Sequence, residues 1–147
     1  MNEETNNRNS KKLSYLLPLL VVAVYTIWQM FAGGGHTVTA EVDDARIGLA
    51  VDRYSTVFIS LSDVQKVSLI ETLGDWTLTE GSSDKNFSYG ECSTEEYGTV
   101  HLSVYTEKPP FLVIQTADET YIYNHSNARE TRKDYTAITE ALASAEQ

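Results

Sequence analysis

"TYIYNHSNARETRKDY", Thr120 to Tyr135, changes its hydrophobic period halfway along. Its first four residues are β-branched or aromatic, the composition of a strand. From Ala128 the pattern becomes helical: Ala128, Thr131, Tyr135, Ile138 and Leu142 recur at spacings of three and four and share one face. Asn127 is placed to cap the first turn, and Glu130 to return a bond to the Asn127 amide. The spacing predicts a helix over about 128–143 and a tail over 144–147. An amphipathic helix with no helical partner must bury its stripe on the upstream strands, so it is expected at the open end or mouth of a β-structure.

Those strands announce themselves by alternation. "HTVTAEV" sets Val38, Ala40 and Val42 on one face, and "RIGLAV" follows the acidic turn Asp43-Asp44. "STVFISL", "VQKVSLIETL" and, past Gly74-Asp75, "WTLTE" continue the pattern. "GSSDKNFSYGECSTEEYG" reads as a loop interrupted by a short strand near Phe87 to Cys92. "TVHLSVYT" alternates until Pro109 and Pro110 break it, and "FLVIQT" and "TYIYN" form a hairpin through Ala117-Asp118-Glu119. Six to eight short strands and one helix predict a mainly β domain over 37–143, an antiparallel sandwich or small barrel capped by its C-terminal helix.

The chain of 147 residues has room for one modest domain. It carries 11 basic and 21 acidic side chains, a net charge of −10. With the first twelve residues set aside, eight basic groups face nineteen acidic ones, a balance of −11. Such a surface repels phosphate backbones, which argues against nucleic-acid binding. One cysteine, Cys92, excludes an internal disulfide and a cysteine-based metal knuckle.

"LSYLLPLLVVAVYTIWQMFA", Leu13 to Ala32, contains no charge and as a helix spans about 30 Å, the thickness of a bilayer core. Tyr15 and Trp28 lie near its two ends. Arg8, Lys11 and Lys12 precede it, which predicts a cytoplasmic tail over 1–12, a transmembrane signal anchor over 13–32 and an outward-facing domain joined by a flexible linker over 33–36. Cleavage as a signal peptide beside Ala32-Gly33-Gly34 is the alternative, and it leaves a secreted domain.

Strands closing into a barrel plugged by one C-terminal helix follow the order of the pleckstrin-homology-like (PH-like) fold. The chain resembles the bacterial PH-like domains of many small membrane proteins in "FISLSDVQKVSLIETL", "YGTVHLSVY", "KPPFLVIQT" and "TYIYNHSNARETRKDY". The resemblance implies a fold and no particular ligand. PH-like barrels hold peptides along an exposed strand edge or beside the helix. This points to Thr120 to Asn124 with Tyr121 and Tyr123, and to the helix face bearing Arg129, Arg132 and Lys133, as candidate partner-binding residues.

Candidate chemistry is sparse. His36, His101 and His125 are widely spaced, and no nucleophile elbow or phosphate loop is present, so no catalytic, metal or cofactor residues are assigned. The region after "TVTAEV" offers only Arg46 and Arg53 beside Asp43 and Asp44, which disfavours phosphoinositides. The expectation is a non-catalytic module for an unidentified protein or peptide. The alternatives are a structural subunit that assembles through its membrane helix and an enzyme with a site dispersed over His101, Asp118 and Cys92. With a tag at Gln147, proteolysis of intact cells is expected to release the tag from the membrane fraction; a protected tag would reverse the topology.

Overall fold

The alternating runs become nine strands in the computed structural model, which describes residues 35–52 and 55–145. The predicted anchor Leu13 to Ala32 lies outside the described residues, among which no helix is long and apolar enough to cross a membrane. β1 (Val38–Val42), β2 (Arg46–Val51) and β3 (Ser55–Ser60) make an antiparallel three-stranded sheet in that order. A 3-10 turn, Leu61–Asp63, leads into β4 (Val64–Ile70), β5 (Trp76–Ser83), β6 (Phe87–Thr94), β7 (Gly98–Tyr105), β8 (Phe111–Thr116) and β9 (Thr120–Tyr123). These six form a second sheet in the order β4-β8-β9-β7-β6-β5, and α1 (Ala128–Ala145) closes the chain.

The strand count exceeds the expected six to eight, and the polar middle of the chain, expected as a loop around one short strand, is part of a hairpin. β5 runs on through Gly81-Ser82-Ser83, turns at Asp84, and returns as β6. The Asp84 carboxylate accepts the amides of Asn86 (2.7 Å) and Phe87 (2.8 Å), an Asx turn that composition reads only as loop. Gly81 and Gly90 are register partners with φ of 125° and 134°. A Cβ on Gly81 would stand 2.1 Å from the Tyr89 carbonyl oxygen, and one on Gly90 would stand 2.0 Å from that of Glu80. Only glycine allows the two backbones to approach so closely.

The antiparallel expectation also fails at one pair, because β9 runs parallel to β7. The β8–β9 hairpin forms as anticipated at 117–119, and it inserts β9 between β8 and β7. β4 and β5 occupy opposite edges of this sheet, yet only residues 71–75 join them. Such a link reaches about 20 Å at full extension, whereas six strands laid flat span about 24 Å. The sheet therefore curls. Its inner face gathers Cys92, Val100, Leu102, Val104, Phe111 and Val113, with Leu73 and Trp76 packed against them. The outer face presents Leu112, Ile114, Tyr121 and Tyr123 to Ile47, Leu49 and Ile59 of the three-stranded sheet. "FLVI" reads as one apolar run because β8 is buried on both faces.

The helix packs on β4, β8, the 3-10 turn and β1, so it fills one side of the space between the sheets. Its stripe is the predicted one: Thr131 and Ile138 are buried, and Tyr135 and Leu142 are half-buried. Ile138 alone stabilises the contact by about 1.5–3 kcal/mol. The Arg129 amide donates to the Asn127 side chain at 3.0 Å, which confirms the cap; the Glu130 carboxylate lies 3.7 Å from Lys133. No breaker stands near residue 143, and the helix extends to Ala145.

Between β9 and this cap, Asn124 is fully buried. Its amide oxygen accepts the Tyr105 N–H at 2.7 Å, and its nitrogen donates to the carbonyls of Tyr105 (3.1 Å) and Lys108 (2.6 Å). Asn124→Ala leaves three backbone groups without that partner and is expected to cost about 3 kcal/mol in denaturant unfolding. A loss below about 1 kcal/mol would show that the backbone finds other partners.

Candidate functional site

The helix covers the β4–β8 side of the inter-sheet space, and a groove remains toward β5, β6 and β7. Its volume is about 290 Å³. Val38, Leu49, Val51 and Val57 line one wall; Tyr89, His101, Tyr121 and Tyr123 line the other. Strand register organises the second wall. Glu80, Glu91, His101 and Tyr121 are successive partners across β5, β6, β7 and β9, and Ser82, Tyr89, Ser103 and Tyr123 form the next row. Side chains in such rows stand on one face of the sheet, beside one another.

One polar cluster marks the groove. The Tyr121 hydroxyl donates to the Glu119 carboxylate, which also lies 3.4 Å from His101 Nε2, and the His101 ring stacks on Tyr121 at 5.1 Å. Burial, followed by the Glu119 contact, pushes the Tyr121 hydroxyl far above its ordinary range. The same hydrogen bond holds the Glu119 carboxyl below its own. Tyr121 therefore stays a neutral donor and Glu119 a charged acceptor at any physiological pH.

The residues singled out from the sequence fare differently. β9 has strands on both edges, so Thr120 to Asn124 cannot accept an added peptide strand. Tyr123 is 1% exposed and donates to Asp134 at 3.3 Å, and Tyr121 is 8% exposed. These tyrosines are core side chains under the groove, a correction that follows from the insertion of β9 between β7 and β8. Arg129, Arg132 and Lys133 are exposed on α1. Arg132 reaches Glu71 at 3.1 Å and so ties the helix to the end of β4, and Lys133 lies beside Glu130.

The dispersed set is not brought together. Cys92 faces the inner cluster of the curled sheet, His101 faces the groove on the opposite side, and Asp118 sits in the β8–β9 turn. Burial raises the Cys92 thiol above its ordinary pKa, which makes it a poor nucleophile. His125 is held by Asp134 at 2.6 Å beside the helix start, and its amide donates to buried Thr131. Glu80, Glu91 and Tyr89 fall in runs the sequence reads as strands, "WTLTE" and Phe87 to Cys92, but are not singled out there, because the pairing that sets Glu80 opposite Glu91 is not legible in the sequence.

A sequence profile described as "Bacterial PH domain" matches residues 38–135, two thirds of the chain. No curated protein and no solved structure matches it.

A second cluster joins the two sheets. The sequence assigns His36 to the linker, but its ring stacks on Phe87 at 4.4 Å, with Nδ1 2.8 Å from Asp52 and Nε2 3.4 Å from Asp84. The Tyr105 hydroxyl donates to the His36 carbonyl. The Asp52 hydrogen bond raises the His36 pKa above 6.5. His36, then the Thr37 amide, lowers Asp52; the Asn86 and Phe87 amides, then His36, lower Asp84. Stabilisation from protonated His36 is complete below 6.5 and is lost as pH rises through the raised value. That from the carboxylates is complete above 3.8 and is lost as pH falls through their depressed values. The clasp is thus strongest from about pH 4 to 6.5. Between about pH 6 and 8.5 the Tm is expected to fall further for the native chain than for His36→Gln. An NMR titration placing His36 at or below 6.5 would remove the clasp.

Proposed function

This chain belongs to the bacterial PH domain family, and we propose that its domain is a non-catalytic protein- or peptide-interaction module, tethered by Leu13 to Ala32 and presented outside the cytoplasm. The observation that carries the reading is the groove between the sheets: the capping helix stops short of it, and strand pairing holds its wall residues in fixed rows. The separation of Cys92 from His101 favours recognition over nucleophilic chemistry. The balance of −11 beyond the first twelve residues adds a preference for partners of opposite charge.

The groove, rather than the helix, is the working surface. A photo-crosslinking amino acid placed at Tyr89, on the groove rim, is expected to capture a discrete partner in intact cells, whereas the same probe at Arg129 captures none. Adducts from Arg129 alone would move recognition to the helix face, and the absence of adducts at both positions would remove the interaction reading.

A further inference from the structure

Glu80 and Glu91 are direct register partners on adjacent strands, and both line the groove. Like charges set directly opposite on one face of a sheet lower its stability. Among the described residues neither carboxylate takes part in an ion pair, and the neighbouring His101 ring is directed to Glu119 at 3.4 Å. Tyr89 stands in the adjoining row, 38% exposed, with its ring available to a cation. Two carboxylates without a cationic partner, Glu91 accepting the Thr79 hydroxyl at 3.4 Å, and an aromatic ring therefore flank an apolar floor at Val51, Val57 and Tyr121.

We propose that this groove binds an extended basic peptide segment, with a Lys or Arg side chain between Glu80 and Glu91 and an adjacent apolar side chain against the floor. The inference rests on the interaction-module reading and names the chemistry of its partner. A volume of about 290 Å³ accommodates a few side chains rather than a folded domain. β3 and β5 each have a neighbouring strand on one side only among the described residues, and both contribute to the groove, β3 through Ser55 and Val57 and β5 through Glu80 and Gly81. Their free backbone edges suit an extended chain better than a compact ligand. Gly81 carries no side chain to screen its edge. The acidic balance of the domain steers basic segments toward it.

The test uses the full-length chain in a non-ionic detergent and a fluorescent decapeptide of alternating Val and Lys, with a Val–Glu decapeptide as control. Binding is expected to favour the Lys peptide by about tenfold or more and to weaken as salt rises. Replacing both carboxylates, Glu80→Gln with Glu91→Gln, should weaken it by about tenfold or more. Glu91→Lys places opposite charges across the strand pair, so it should abolish binding without lowering the Tm, which separates lost recognition from lost folding. Equal affinity for the two peptides, or binding indifferent to the double replacement, would overturn the proposal. Competition by cadaverine as effective as that by unlabelled peptide would also overturn it, in favour of a small organic cation. Capture at Tyr89 with no binding of the Lys peptide would discard the basic partner and leave the interaction module standing.

Discussion

The buried side chain of Asn124 holds the end of β9 to the end of β7 and to the middle of the loop that precedes β8. One amide group satisfies the Tyr105 N–H and the carbonyls of Tyr105 and Lys108. No apolar side chain of similar size could do this, because it offers neither the donor nor the acceptor that these backbone groups need. With β9 fixed there, it pairs with β7 on one edge and β8 on the other, and the six strands become one sheet. Four residues later the helix begins at its Asn127 cap, so the same anchor sets where α1 starts. Thr131, accepting the His125 amide, completes the turn between strand and helix.

The geometry of the groove follows from how the helix and the curled sheet share the inter-sheet space. Residues 71–75 are too short to join the two edges of a flat sheet, so the sheet bends around an inner cluster and offers its convex face to the three-stranded sheet. The helix stripe covers that face near β4 and β8. Toward β5 and β6 the facing residues are Glu80, Tyr89 and Glu91, which do not fill an apolar core, and the sheets leave a gap. Two polar ties cross between the sheets: His36 brings Asp52 and Asp84 together, and the Tyr105 hydroxyl donates to the His36 carbonyl. The Arg46 guanidinium, over the Phe58 ring at 4.6 Å, stays within the smaller sheet.

This division explains why the basic trio on the helix is a weaker candidate surface than the sequence suggests. Arg132 is engaged with Glu71 and Lys133 with Glu130, so two of the three charges serve the helix itself, each worth a few tenths of a kcal/mol at such exposed sites. Among the described residues the two groove carboxylates have no cationic partner, and Glu91 accepts only the Thr79 hydroxyl at 3.4 Å. Their proximity is the product of register between β5 and β6, which the Gly81–Gly90 pair and the shift between Leu78 and Glu80 establish.

Much of this fold was legible residue by residue. The stripe from Ala128 to Leu142, the Asn127 cap, the break at Pro109-Pro110 and the hairpin at 117–119 are local signals, set by side-chain period, hydrogen-bonding reach and backbone freedom within a few residues. The acidic balance and the apolar segment Leu13 to Ala32 are equally plain in the primary structure. What only the tertiary structure decided is which edges are paired and which side chains meet. Nothing in "TYIYN" tells an interior strand from an edge strand, and nothing in "GSSDKNF" shows that Glu80 will face Glu91. His36, eight residues after Trp28 and sixteen before Asp52, meets its partners only when both sheets have formed. Period is a property of neighbours in the chain, whereas register and burial arise between segments that the chain brings together from afar.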